Sequence, residues 1–119
     1  MAVDAVAVTD LVRTALDMAQ QRAELASRNI AQANVAGYSA HRLDFSRVVA
    51  GLEQAALAPP GLAAEPPSAA EGVLYSTGTP VSLDAEVAEL VAAGSNYQVL
   101  ADALGRHLGL MRLAVTGRG

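Results

Sequence analysis

The C-terminal third of the chain repeats apolar and small residues at alternating steps of three and four. The repeat extends over four heptads and comprises Val87, Leu90, Gly94, Tyr97, Ala101, Leu104, Leu108, Met111 and Val115. This spacing brings the repeated residues to one face of a helix, and a sustained heptad repeat is typical of a coiled-coil seam. We therefore expect a long helix from about Ser82 or Asp84 to about Val115. Its seam could pack against the other helix of the same chain as well as against neighbouring subunits in an assembly.

A second helical pattern occupies the N-terminal region, from about Asp4 or Thr9 to about Asn34. Its apolar stripe comprises Val8, Val12, Ala15, Ala19, Ala23, Ala26, Ile30 and Ala33. Gly37 follows, and glycine is suited to the left-handed conformation in which many helices end. Two terminal helices of nearly matching length predict an all-α fold in which they form an antiparallel coiled-coil hairpin.

The chain is short enough to form one domain at most. The two patterns place an N-terminal helix within residues 1–37 and a C-terminal helix within residues 83–119. Residues 38–82 form the connector between them, which is expected to be irregular and rich in loops. A cluster of apolar residues predicts one short helix in the connector, within residues 43–57.

The second half of the connector is expected to be less regular. Residues 58–72 contain four of the five prolines and predict a flexible or extended loop. Residues 73–76 and 79–81 flank a Thr-Gly pair and predict a small β-hairpin. Pro80 would confine that hairpin to the edge of a sheet.

The composition indicates a thin core in the single chain. Hydrophobic residues make up 52% of the sequence, but there is no Trp and only one Phe. Many of the apolar residues are Ala, which buries far less surface than Leu or Phe. Burial of a Leu or Phe side chain stabilises the fold by about 1.5–3 kcal/mol. We infer that further burial is available in an assembly.

Charge and residue content disfavour several classes of function. The net charge is −4 and no basic run occurs, so nucleic acid is not an expected partner. There is no Cys, and His41 and His107 stand apart, so no metal site is expected. No phosphate-binding glycine loop or nucleophile elbow occurs, so no enzyme activity, cofactor or small-molecule substrate is expected. Asp84, Glu86 and Glu89 are interpreted as a solvated first helical turn that suits the helix dipole.

The sequence also bears on location. No apolar run is long enough to span a membrane, and Asp4 and Asp10 occur near the N-terminus without a basic residue. This pattern is not that of an ordinary secretory signal. We expect the protein either to stay in the cytoplasm or to leave by a route that does not read such a signal.

The end of the first helical pattern carries the most specific motif. Residues 27–38 read Ser-Arg-Asn-Ile-Ala-Gln-Ala-Asn-Val-Ala-Gly-Tyr, and Leu-Asp-Phe follows at residues 43–45. This block resembles the N-terminal signature of the bacterial flagellar rod and hook proteins, approximately S-x-N-I-A-N-x-x-T-P-G-Y with Asp-Phe shortly after. The residues that fit are Ser27, Asn29, Ile30, Ala31, Asn34, Gly37, Tyr38, Asp44 and Phe45. The departures are Gln32 for the usual Asn and Val35-Ala36 for the usual Thr-Pro.

The C-terminal half is similar to the proximal rod type of that family, in residues 83–90, 96–98 and 104–112. The resemblance implies a structural subunit that stacks helically into the rod between rotor ring and hook and is required for motility. The implied partners are other flagellar rod proteins, the rotor-ring base with its adaptor, and the flagellar type III export apparatus. The implied location is the basal body, where the rod crosses the periplasmic space, reached without a cleaved signal peptide.

The roles of individual signature residues follow as expectations. The amides of Asn29 and Asn34 are expected to form hydrogen bonds that fix the turn out of the helix, within or between subunits. Phe45 could equally pack the connector onto the helices. Two other functions remain open at this point: another short rod subunit of the same family, or a cytoplasmic helical-hairpin adaptor or export chaperone.

Overall fold

The computed structural model describes residues 2–57 and 68–117. Its elements are helix α1 (Ala2–Ala31), strand β1 (Ser39–Asp44), helix α2 (Ser46–Leu57), a short 3-10 helix (Ala69–Glu71), strand β2 (Val73–Pro80) and helix α3 (Leu83–Thr116). The prediction of two long terminal helices is confirmed, as is the short helix in the connector. The chain is mostly helical rather than all-α, because residues 39–44 and 73–80 of the connector, which was expected to be irregular, pair as a two-stranded sheet. Most of the predicted proline-rich loop lies outside the described residues.

Helices α1 and α3 pack side by side and run antiparallel. Asn29 near the end of α1 contacts Glu86 near the start of α3, and Arg22 contacts Glu89 one turn further along. Residues nearer the start of α1 therefore contact residues further along α3, as expected for antiparallel helices. With 30 and 34 residues and about 1.5 Å per residue, the helices are about 45 and 51 Å long.

Local chemistry explains where these helices end. The Ser82 side chain accepts a hydrogen bond from the Ala85 N–H at the start of α3, and Gly117 closes the helix in a left-handed conformation with φ of 68°. Helix α1 ends at Ala31, three residues before the predicted boundary. A turn follows in which Tyr38 N–H donates to Val35 carbonyl at 3.2 Å and Gly37 adopts φ of 81°.

The prediction of a β-hairpin formed by residues 73–76 and 79–81 is wrong, and a different small sheet is present. Residues 73–80 form one continuous strand, and β2 pairs with the distant β1 in an antiparallel two-stranded sheet. Gly78, with φ of 74°, lies where the register shifts rather than in a hairpin turn. At the register shift, the Thr77 hydroxyl donates a hydrogen bond to the Ala40 carbonyl at 3.0 Å. Pairing with β1 thus gives this hydroxyl a partner that the predicted hairpin would have left to solvent.

The described part of the chain has a small core, in line with the composition. The buried apolar residues are Ala19, Leu25, Ala26, Ala40, Phe45, Val48, Ala69 and Ala93. Alanine supplies five of these eight side chains. Because alanine is small, the contacts between the long helices bury little apolar area. Phe45 and the fully buried Val48 make the bulkiest apolar contribution, where α2 and the 3-10 helix pack against α1.

Phe45 fixes the connector through a close approach to glycine. A Cβ atom added at Gly72 would lie 2.6 Å from Phe45 Cε1, which is closer than side-chain carbons tolerate. Glycine at position 72 therefore lets the backbone pass directly over the aromatic ring. This contact supports the interpretation of Phe45 as the residue that packs the connector onto the helices.

Candidate functional site: a buried polar junction and an exposed helix face

A cluster of polar side chains lies where the end of α1, strand β1 and the start of α3 meet. We call it the polar junction, and it comprises Asn29, Tyr38, His41, Arg42 and Glu86. Asn29 and Glu86 are both fully buried, which is unusual for an amide and a carboxylate. Their burial is favourable only if their polar atoms find partners inside the protein.

Asn29 uses the full hydrogen-bonding capacity of its amide. Its Oδ1 accepts from the His41 N–H at 3.1 Å and from the Tyr38 hydroxyl at 3.0 Å. Its Nδ2 donates to the His41 carbonyl at 2.9 Å and to Glu86 Oε2 at 3.2 Å. Two lone pairs and two hydrogens are thus all satisfied, so the amide tolerates complete burial.

The same amide takes the place of a neighbouring strand. It pairs with both the N–H and the carbonyl of His41, as the backbone of an adjacent strand would do. Strand edges expose such groups in a row, and proteins usually cover or interrupt them. Asn29 therefore joins the side of β1 at His41 to the end of α1.

Glu86 connects the junction to α3. Arg42 Nη1 donates to Glu86 Oε2 at 3.0 Å and to the His41 carbonyl at 3.1 Å. Glu86 Oε1 lies 2.8 Å from the same nitrogen, a contact that pairs the charges without hydrogen-bond alignment. A buried carboxylate requires such a partner, because an unpaired charge in this position is strongly unfavourable.

Glu86 was not recognised as part of a site from the sequence. The interpretation of this residue as part of a solvated first turn is wrong, since none of its surface is exposed. The available signal was its spacing: Glu86 lies seven residues before the buried Ala93 and one residue before the seam position Val87. Arg42 carried no signal, because its partner is 44 residues away.

The structure brings together only part of the predicted signature. Asn29 and Tyr38 meet in the junction, and Gly37 forms the turn between them. Ile30 is half-buried, and the exposed signature residues comprise Ser27, Ala31, Asn34, Gly37 and Asp44. The Asn34 amide makes no hydrogen bond within the described part of its own chain, so its expected role inside the subunit is not observed.

Asp44 and Phe45 begin helix α2. Asp44 Oδ1 accepts a hydrogen bond from the Ser46 N–H at 2.9 Å. This backbone hydrogen bond, together with the Ser46 hydroxyl and the Arg47 charge, holds the pKa of Asp44 below its ordinary value of 3.8, against a small opposing effect of burial. Asp44 is therefore a helix-start residue and not a member of the junction.

Helix α3 is the second feature of interest, because most of it is exposed. Of its 34 residues only Glu86 and Ala93 are buried. The half-buried residues are Glu89, Leu90, Leu100, Leu104, His107 and Met111. The face toward α1 therefore includes Leu90, Leu104 and Met111 of the predicted seam.

The remaining seam residues face outward. Val87, Gly94, Tyr97, Ala101 and Leu108 are exposed, so the predicted stripe is turned partly away from α1. Most of these residues, together with Val91 and Gly105, form what we call the outer stripe: Val87, Val91, Gly94, Ala101, Gly105 and Leu108, with the exposed polar residue Gln98 between Gly94 and Ala101. A Cβ atom added at either stripe glycine would meet no atom within 4 Å, so the face is flat and open.

A groove lies between the long helices, near the middle of each. It has a volume of about 330 Å³ and is lined by Ala15, Met18, Ala19, Arg22, Asn96, Val99 and Leu100. Small residues on α1 leave the space that larger side chains would fill. The lining is mostly apolar, and its polar groups come from Arg22 and Asn96.

Searches for other kinds of site and for related proteins add no further feature. Within residues 2–57 and 68–117, His, Asp and Glu side chains form no group of three that could hold a metal ion. No helix in that part of the chain has the length and hydropathy of a membrane span. Comparison of the chain with protein-family models, curated proteins and solved structures finds no match.

Proposed function

We propose that this protein is a structural subunit that assembles through the exposed face of α3, and that the assembly is the proximal rod of the bacterial flagellar basal body. The observation that carries the first part is the outer stripe. Val87 is 51% exposed, Val91 62% and Leu108 44%, on one continuous helix face. Exposed apolar side chains aligned along one helix face commonly mark a site of protein association.

The energetics of α3 support the same proposal. A helix of 34 residues with two buried side chains gains little from packing within one chain. Gly94, Gly105 and Gly109 lower its intrinsic stability by up to about 1 kcal/mol each. Contacts with neighbouring subunits would supply the missing burial, and the two stripe glycines would allow a neighbouring helix to approach closely.

The second part of the proposal rests on the resemblance in residues 27–45. The fold gives a physical reason for several of its residue types: four hydrogen bonds need the Asn29 amide, and a φ of 81° favours Gly37. Tyr38 donates to Asn29, and Phe45 packs over Gly72. These features agree with a motif that fixes the chain as it leaves the first helix.

The proposal includes partners and location. The two terminal helices would form a coiled coil in the rod, and the outer stripe would contact neighbouring rod subunits. The rotor-ring base with its adaptor would lie below, and the flagellar type III export apparatus would deliver the chain to the periplasmic rod. A hairpin with so little internal burial would unfold readily for passage through a narrow export channel.

The test uses two leucines near the end of α3. Leu108 lies on the outer stripe and Leu110 lies off it, and both are exposed, at 44% and 65%. In cells that lack the native gene, we expect Leu108→Asp to abolish rod incorporation and motility, whereas Leu110→Asp should restore both. Electron microscopy of basal bodies and recovery of the tagged chain in them provide the measurement.

Three outcomes would separate the alternatives. Incorporation of Leu108→Asp at the wild-type level would refute assembly through the outer stripe. Normal flagella after deletion of the gene, with the chain confined to the cytosol, would refute the rod and favour an adaptor or export chaperone. Presence of the chain in a different part of the rod would favour another short rod subunit of the same family.

A further inference from the structure

Strands β1 and β2 are joined to the rest of the molecule by few contacts. All eight residues of β2 are exposed, and its main packing is against β1. Strand β1 packs in turn on α1. A two-stranded sheet is marginally stable on its own in water, so its order depends on the elements that hold it.

Two sets of contacts hold this strand pair. At one end, Phe45 follows β1 and packs over Gly72, which precedes β2. Along β1, the polar junction supplies the hydrogen bonds of Asn29 to His41 and the ion pair of Arg42 with Glu86. The first set is apolar and terminal, whereas the second is polar and central.

The strand pair also covers part of the groove between the long helices. Arg42 and Leu43 of β1 close a small cavity of about 30 Å³ that is otherwise lined by Arg22, Leu25, Ala26 and Glu89. Arg22 lines the larger groove as well, so the two spaces are neighbours. Leu25 and Ala26 are buried beneath this cover, at 8% and 1% exposure.

We propose that β1 and β2 form a strap over the α1–α3 groove, and that the Arg42–Glu86 ion pair fastens it. When the pair separates, residues 39–43 and 74–80 move away together while α1 and α3 remain helical and the Phe45 end stays packed. Opening extends the apolar groove along α1 to Leu25 and Ala26. This proposal does not depend on a flagellar role.

The physical reason for local opening is the distribution of contacts. The only buried apolar side chain of the strap is the small Ala40 of β1, since β2 is exposed. The other attachments of the strap to the helices are polar contacts that water can replace at Arg42, which is about one quarter exposed. Segments with few buried apolar contacts open with lower free energy than the core. The helices are held by a separate set of contacts along α1 and α3.

Native-state amide hydrogen exchange of the full chain tests the strap. In Arg42→Gln/Glu86→Gln, which removes both charges and keeps polar groups of similar length, we expect the amides of residues 39–43 and 74–79 to exchange at least about tenfold faster. Amides in the middle of α1 and α3 should change less than twofold. In Arg42→Lys, which keeps a cation for Glu86, the strap should exchange at an intermediate rate.

The matched control is Arg22→Gln/Glu89→Gln. This pair has a similar distance of 2.7 Å and lines the small cavity beneath the strap, but it joins the helices directly, so its loss should accelerate strap exchange less than loss of the Arg42–Glu86 pair. A uniform acceleration across strap and helices in the junction variant would overturn the proposal, as would no change. If that variant fails to fold, hydrogen exchange in the wild-type chain tests the proposal. The strap amides should exchange through local openings whose free energy depends little on denaturant concentration. Exchange of these amides only by global unfolding would overturn the proposal.

Discussion

At the scale of single residues, position 29 is the most constrained in the described structure. Its side chain must offer two donors and two acceptors within the length of an Asn. Asp would offer no donor and would place a second carboxylate beside Glu86. Leu would leave the His41 N–H without its partner and the His41 carbonyl with Arg42 as its remaining donor, and Gln would extend the amide by one carbon into occupied space.

This constraint gives a prediction for Asn29→Asp. We expect the free energy of unfolding to fall by about 3 kcal/mol, because a buried charge is introduced and two hydrogen bonds are lost. Urea denaturation followed by circular dichroism measures it. Asn34→Asp is the control, since Asn34 is exposed and its change should stay within about 0.5 kcal/mol. Equal effects at the two positions would contradict the described role of Asn29.

The sequence identified one half of the junction and missed the other. Asn29 and Tyr38 stand out because one local motif, residues 27–38, contains both. Arg42 and Glu86 belong to no local motif, and their pairing depends on how β1 lies across the helix pair. Acidic residues near a helix start are usually solvated, so the sequence alone favoured the wrong environment for Glu86.

At the scale of elements, local patterns predicted helices well and strand pairing poorly. The helix periodicities of α1 and α3 repeat over many turns, and Asp44 lies two residues before Ser46, the first residue of α2. Strand pairing is a long-range property: the Thr-Gly pair looked like a hairpin turn, yet β2 found its partner in residues 39–44. The sequence identified the seam of α3, but which side of the seam faces α1 depends on the burial of Glu86 in the polar junction.

The start of α2 carries a prediction on pH. The folded pKa of Asp44 lies below 3.8, mainly because the Ser46 N–H donates to its carboxylate. The unfolded chain therefore binds the proton more readily, so this stabilisation is complete above the unfolded pKa and is lost as pH falls through the folded pKa. A carbon-detected NMR titration should show Asp44 ionising below its ordinary value.

The matched variant for this prediction is Asp44→Asn. An Asn side chain still accepts the hydrogen bond from the Ser46 N–H, so α2 should persist at neutral pH. The variant should lose the part of the acid dependence of unfolding that Asp44 contributes. An Asp44 carboxyl that titrates at or above 3.8 in the folded protein would contradict the assignment.

At the scale of the whole molecule, composition predicted the thin core but not how it is distributed. The buried side chains are concentrated on α1 and the connector, whereas α3 contributes Ala93 and Glu86. The same heptad pattern can serve a partner helix within the chain or one in another chain, so periodicity alone does not assign the faces. The structure divides them: Leu90, Leu104 and Met111 turn toward α1, and the outer stripe turns away.

This division leads to a prediction on association in solution. If the outer stripe binds neighbouring chains, folding and association are coupled, and a hundredfold rise in protein concentration adds up to about 2.7 kcal/mol of apparent stability per coupled binding event. The midpoint of thermal unfolding, followed by circular dichroism at 222 nm, should therefore rise with concentration in the wild-type chain. It should stay constant in Leu108→Asp, because a carboxylate on the stripe cannot be buried at a helix interface without a partner.

Leu110→Asp should behave like the wild type, since Leu110 is exposed off the stripe. A midpoint independent of concentration in the wild-type chain would mean that the stripe does not drive self-association, and loss of the dependence in both variants would mean that any added charge near the end of α3 prevents it.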